Sequence, residues 1–105
     1  MKTTKKAAKT ESPKWVEGSV QDFLELSSAD MELIEIRLAA SRLLKATRKE
    51  KNLTQQSLAA QLHTSQSRLA KMEAGDSSVS LDLLFRSLFA LGVSRKEVAD
   101  TLAMA

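Results

Sequence analysis

The apolar positions of this chain recur at helical spacing, in blocks separated by short polar turns. Between Trp15 and Leu26, Val20, Phe23 and Leu24 fall at i, i+3, i+4. Ser19 with Asp22 three residues on has the form of a capping box, an acid standing in for the usual Glu or Gln. This predicts a short acidic amphipathic helix over about 19–25. Ser27 or Ser28 then caps a longer helix over about 29–51, a stretch without Gly or Pro and rich in good helix formers. Its inner stripe is Ile36, Ala40, Leu43, Leu44 and Thr47. Leu33, Ile34 and Leu38 add a second apolar side near its start, and a helix apolar nearly all round needs two covers. The second cover is either the Trp15–Leu26 segment or another subunit.

Two shorter patterns follow. Thr54 to about Leu62 turns Leu58, Ala59 and Leu62 inward, and about Ser65 to Glu73 buries Leu69 and Met72 at i, i+3. The connection between them, His63-Thr64, is too short for two antiparallel helices to lie flat, and suits a helix-turn-helix. After Gly75 comes a polar loop, Asp76-Ser77-Ser78. Ser80 caps a helix carrying Leu81, Leu83, Leu84, Phe85, Leu88, Phe89 and Leu91, stopped by Gly92. Ser94 and Glu97 frame a capping box for a last helix with Val98, Ala99 and Leu102 inward. There are no internal repeats and no convincing strand period, so the pattern predicts an all-α chain. A basic tail over 1–14 is expected to be disordered. A short amphipathic segment over 15–28 precedes the main domain over 29–105, with the helix-turn-helix at 54–74.

Composition removes whole classes of function. A chain of 105 residues, 43% hydrophobic, is one domain with one modest core. With no cysteine there is no disulfide framework, thiolate metal site or cysteine nucleophile. His63 is the single histidine and has no metal-ligand partners, so no metal or cofactor is expected. No nucleophile–base pair or phosphate loop is visible and the three glycines are scattered, so the chain reads as a non-enzyme. No apolar run approaches the about 20 residues a membrane span needs, and the Lys-rich start lacks an apolar h-region. The expected location is cytoplasmic.

Charge is strongly segregated. Residues 1–14 carry +4, residues 15–36 carry six acids and no base, residues 37–72 carry eight bases and one acid, and residues 73–105 carry −2. A charge run alone is usually a solvated face. Here the positive charge coincides with the helix-turn-helix and the helix before it, the footprint of a DNA-binding face.

The stretch Leu53–Gly75 resembles the Xre/Cro family of helix-turn-helix proteins, which includes phage Cro and cI-type repressors. The resemblance rests on Thr54-Gln55, Leu58-Ala59, His63 in the turn, Ser65-Gln66-Ser67, Leu69 and Glu73-Ala74-Gly75, ungapped over 23 residues. With flanking helices it covers roughly 36–102. It implies a lambda-repressor-like five-helix DNA-binding domain, here with a short N-terminal helical extension. It departs from the family pattern at His63, where Gly is usual. A left-handed backbone is needed there, and His is among the non-glycine residues that tolerate it.

The resemblance implies DNA-binding roles for Thr54, Gln55, Ser65, Gln66, Ser67, Arg68 and Lys71. The recognition helix, about 65–73, enters the major groove. Gln can bond an adenine edge through two atoms and Arg a guanine edge. By resemblance the base readers are Gln66, Ser67 and Ala70 or Lys71, Arg68 reads a base or a phosphate, and Gln55 grips phosphate. Arg48, seven residues before Gln55, and Glu73 match a family ion pair that ties the first helix to the recognition helix. Trp15 either packs on its own domain or anchors a partner protein.

The expected function is a sequence-specific transcriptional repressor binding a double-stranded operator, as a homodimer through the apolar surplus of the last two helices. Size and N-terminal extension resemble HigA-type antitoxins. That implies autorepression within a toxin–antitoxin pair, with the acidic residues 15–36 covering a basic toxin. The competing class is a helix-turn-helix scaffold used only for protein contacts. Gln55, Gln66 and Arg68 together argue against it.

Overall fold

The computed structural model describes the backbone of residues 17–105 and the side chains from Ser27 onward. All regular structure among these residues is helical: α1 (Glu17–Glu50), α2 (Gln55–Gln61), α3 (Gln66–Ala74), α4 (Leu81–Ala90) and α5 (Arg95–Ala103). The all-α, five-helix expectation holds. The basic tail over 1–14, Trp15, and the side chains of Val20, Phe23 and Leu24 lie outside the described residues.

One expected boundary is corrected. The chain does not break at Ser27 or Ser28, because α1 runs unbroken through both. Capping there requires a serine to leave the helical backbone region, and no Gly or Pro between Ser19 and Glu50 forces that departure. A serine inside a helix costs only about 0.5 kcal/mol, which neighbouring good formers offset. The continuous helix carries residues 17–26 along the same axis as Leu33 and Ile34, so that segment does not fold back over them. Both remain exposed.

The chain divides into two compact units, residues 1–34 and 35–105. The core of the second draws Ala40 and Leu44 from α1, Leu58 and Ala59 from α2, Leu69 and Met72 from α3, Leu84 and Leu88 from α4, and Val98 from α5. Val79 and Val93 plug it from the connecting loops. Within this unit Arg37 donates a hydrogen bond to the carbonyl of Val79 and holds the α3–α4 loop against α1.

Local chemistry sets the helix starts. Thr54, Ser65, Ser80 and Ser94 are extended N-caps whose hydroxyls accept from the amides of Ser57, Arg68, Leu83 and Glu97. The first four helices also end alike. Asn52, His63, Gly75 and Gly92 take φ of 59°, 58°, 76° and 91°. The next amide of each bonds back five residues: Leu53 to Arg48, Thr64 to Ala59, Asp76 to Lys71 and Val93 to Leu88, at 2.9–3.1 Å. These are Schellman ends. His63 adopts the left-handed backbone its position demands.

Gly75 has a second reason to be glycine. A Cβ there would lie 2.7 Å from Leu38 Cδ2, because α1 passes against the end of α3. The E-x-G pattern therefore reports both a helix stop and a close approach.

Candidate nucleic-acid interface

α2 and α3 pack directly on each other through the tight turn at His63. α3 has two faces of opposite character. Leu69 and Met72 are 0% and 1% exposed and fix the helix to the core. Ser67, Arg68 and Lys71 are exposed on the other side, Gln66 is exposed at the first position of α3 although it shares the stripe of Leu69 and Glu73, and Ala70 is half-buried. Helical spacing produces this division, since 69, 72 and 73 point inward together while 67, 68 and 71 point away. Ser65 and Thr54 are exposed, and the oxygen of each serves as a cap acceptor. Each hydroxyl proton stays free to donate, so capping and phosphate contact are compatible uses of one side chain.

Behind this surface lies a buried polar cluster. Arg48 Nε donates to Glu73 Oε2 at 2.6 Å and Arg48 Nη2 to Glu73 Oε1 at 3.0 Å, a two-pronged pair with side chains 11% and 3% exposed. Arg48 Nη1 also donates to the carbonyl of Leu53 at 2.8 Å. One guanidinium thus ties α1, the α1–α2 turn and α3. Hydrogen bonding to Glu73 raises the Arg48 pKa above its ordinary value.

Gln55 Nε2 donates to Glu73 Oε1 at 3.1 Å. The amide orientation is chemically forced, since its oxygen would meet a carboxylate oxygen in the reverse setting. One Nε2 hydrogen is used in this contact and the second is left for an outside acceptor. The carboxylate of Glu73 receives three N–H donors, so a glutamate only 8% exposed is fully satisfied.

The basic surface is smaller than the formal charge of residues 37–72 implies. Arg48 is neutralised by Glu73, and Arg37 is engaged with Val79. Arg42, Lys45, Lys49, Lys51, Arg68 and Lys71 are exposed. The α3–α4 loop adds no positive charge. Its one ionisable side chain is Asp76, which accepts from the Ser78 amide at 2.8 Å, and hydrogen bonds from Ser78 hold its carboxyl below the usual range.

Two residues with structural roles here had weak sequence signals. Asn52 ends α1 in the left-handed region, and its only signal was an Asn following the last basic turn of a helix. Arg37 clamps the loop through a contact 42 residues away, which no local pattern carries.

Among the described residues no group of His, Cys, Asp or Glu could hold a metal ion, and no helix is long and apolar enough to cross a membrane. No curated protein and no solved structure matches the chain. A family model described as Helix-turn-helix matches residues 44–98, just over half of the 105 residues. The matched stretch holds the Arg48–Glu73–Gln55 cluster and both α2 and α3. With its five helices and no strand among the described residues, this chain belongs to the Xre/Cro-type, lambda-repressor-like family of DNA-binding helix-turn-helix proteins.

Proposed function

We propose that this protein is a sequence-specific transcriptional repressor that binds its operator as a homodimer, with α3 in the major groove. The observation that carries the reading is the two-faced α3, whose exposed Gln66, Ser67, Arg68 and Lys71 ride on anchors with almost no exposure. In this reading Gln66 reads an adenine edge, Arg68 a guanine edge or a phosphate, and Ser67 and Lys71 complete the contact surface. The remaining Nε2 hydrogen of Gln55 bonds a phosphate oxygen, with Glu73 holding the amide in place. Thr54 and Ser65 donate their hydroxyl protons to phosphate while capping α2 and α3. A single helix reads few base pairs, so two-fold pairing supplies the rest, and the 45% exposed Phe89 is the apolar material for it. The site of action is the cytoplasm, where an operator would be accessible.

The test is selection of duplexes from a randomised pool, followed by titration of the winner against scrambled DNA. Enrichment of paired half-sites spaced by a helical turn supports the reading. A pool that stays random, with equal affinity for scrambled DNA, leaves the scaffold-only function in its place.

The finer reading is the autorepressing antitoxin of a toxin–antitoxin pair. The acidic residues 15–36 and the exposed apolar side chains within them favour a protein partner besides DNA.

A further inference from the structure

Five large hydrophobic side chains are exposed among the described residues, and three of them sit within four consecutive positions of α1. Met31 is 57% exposed, Leu33 49% and Ile34 49%. At 3.6 residues per turn their directions span an arc of about 160°. Asp30 falls inside that arc and Glu35 and Glu32 occupy the remainder, all three exposed. The wider segment 15–36 contains six acids and no base. Apolar and acidic side chains thus interleave around this stretch of helix, and every charge among them has the same sign.

We propose that residues 30–35 form a docking face for a basic partner protein, one that offers an apolar groove or helix stripe edged by Lys and Arg. The charge selects the partner. A second copy meeting this face with its own identical face would bring the same acids against themselves, which disfavours a two-fold contact here. Nucleic acid and an anionic membrane surface are repelled for the same reason. A partner with basic edges gains both burial of the three apolar side chains and opposite charge around them. The inference builds on the partner-protein reading above. Its test contains no DNA, so failure of the repressor reading and failure of the docking face give different results.

The probe is a labelled amphipathic Leu/Lys helical peptide, titrated with the full chain and followed by fluorescence anisotropy. A Leu/Glu peptide and a Ser/Lys peptide serve as the charge and apolar controls. The Leu/Lys peptide should bind and both controls should not. The double variant Leu33→Ser, Ile34→Ser should weaken its binding by about tenfold or more. Circular dichroism should show the same helix content. The variant Asp30→Asn, Glu32→Gln, Glu35→Gln keeps the apolar contacts and should flatten the salt dependence of binding. Equal binding of the Leu/Glu peptide, equal binding to the double variant, or an unchanged salt slope in the amide variant overturns the proposal. Sedimentation gives the remaining outcome: loss of self-association in the double variant would make this face a contact between copies and overturn it as well.

Discussion

α3 and residues 30–35 of α1 are both helical surface, yet they present opposite chemistry. α3 turns polar groups outward over side chains with almost no exposure, and a bidentate ion pair holds it from behind. Residues 30–35 turn Met31, Leu33 and Ile34 outward, interleaved with acids. The difference separates two ways of recognising a partner. A polar surface gains specificity only if its donors are fixed, because a displaced hydrogen bond is worth little. An apolar surface needs only area and a matching rim. In the proposed reading the anchors under α3 therefore matter as much as Gln66 does.

One substitution made in both regions tests that contrast with the largest expected effect. Leu69→Ala should destabilise by roughly 3–5 kcal/mol, since Leu69 is 0% exposed and the removal leaves a cavity. Leu33→Ala should cost below about 1 kcal/mol, since half of that side chain already faces water. Urea denaturation of the two variants measures the gap. If Leu33→Ala costs as much as Leu69→Ala, Leu33 is covered in solution and the two regions do not differ.

Arg48→Ala comes next. It strands the 3% exposed carboxylate of Glu73, frees the Leu53 carbonyl and loosens Gln55. A loss of about 3 kcal/mol is expected, together with weaker DNA binding. The double change Arg48→Met, Glu73→Leu should recover much of the stability without recovering the affinity, because nothing then orients Gln55. A double variant with full DNA affinity would show that the cluster only stabilises the fold.

Much of the helix-turn-helix half was legible in the sequence, because its determinants are local. Thr54, Ser65, Ser80 and Ser94 announce helix starts by chemistry that acts within three residues. His63 and Gly75 announce helix ends in the same way. The exposure of Ser67, Arg68 and Lys71 follows from spacing once Leu69 and Met72 are placed inward, whereas Gln66 is exposed because it begins α3. The N-terminal half was less legible. Ser27 and Ser28 are equally good caps or helix interior, and a preference near 0.5 kcal/mol does not decide between them. The contact of Arg37 with Val79 and the crowding of Gly75 by Leu38 arise from packing between elements.

Within the polar face itself, Gln66→Ala should cost about 1–3 kcal/mol of binding free energy, confined to one base position per half-site. Stability should not change, as Gln66 is exposed. An operator screen with every base at every position reads the outcome. Unchanged base preference would remove Gln66 from the reading surface and leave Arg68 and Ser67 to carry specificity.

The smallest effect comes from the turn that joins α2 to α3. His63 sits at φ 58°, where Gly75 and Gly92 occupy the equivalent helix-end positions. A side chain in that region carries a strain of about 1 kcal/mol, smaller for the residues that tolerate it. Glycine removes the strain but gives the unfolded chain more freedom, which takes back about 0.5 kcal/mol. His63→Gly should therefore stabilise by a few tenths of a kcal/mol, and the melting temperature should rise by about 2 °C. His63→Val should fall well below wild type, since a β-branched residue is the least suited to positive φ. Neither change touches the buried side of α3, so DNA affinity in the folded state should follow neither. If His63→Gly weakens binding while raising the melting temperature, the turn itself helps hold α3 in its reading position. If affinity is unchanged, the anchors Leu69 and Met72 and the Arg48–Glu73 pair fix the polar face by themselves, which is what distinguishes it from the free apolar face of residues 30–35.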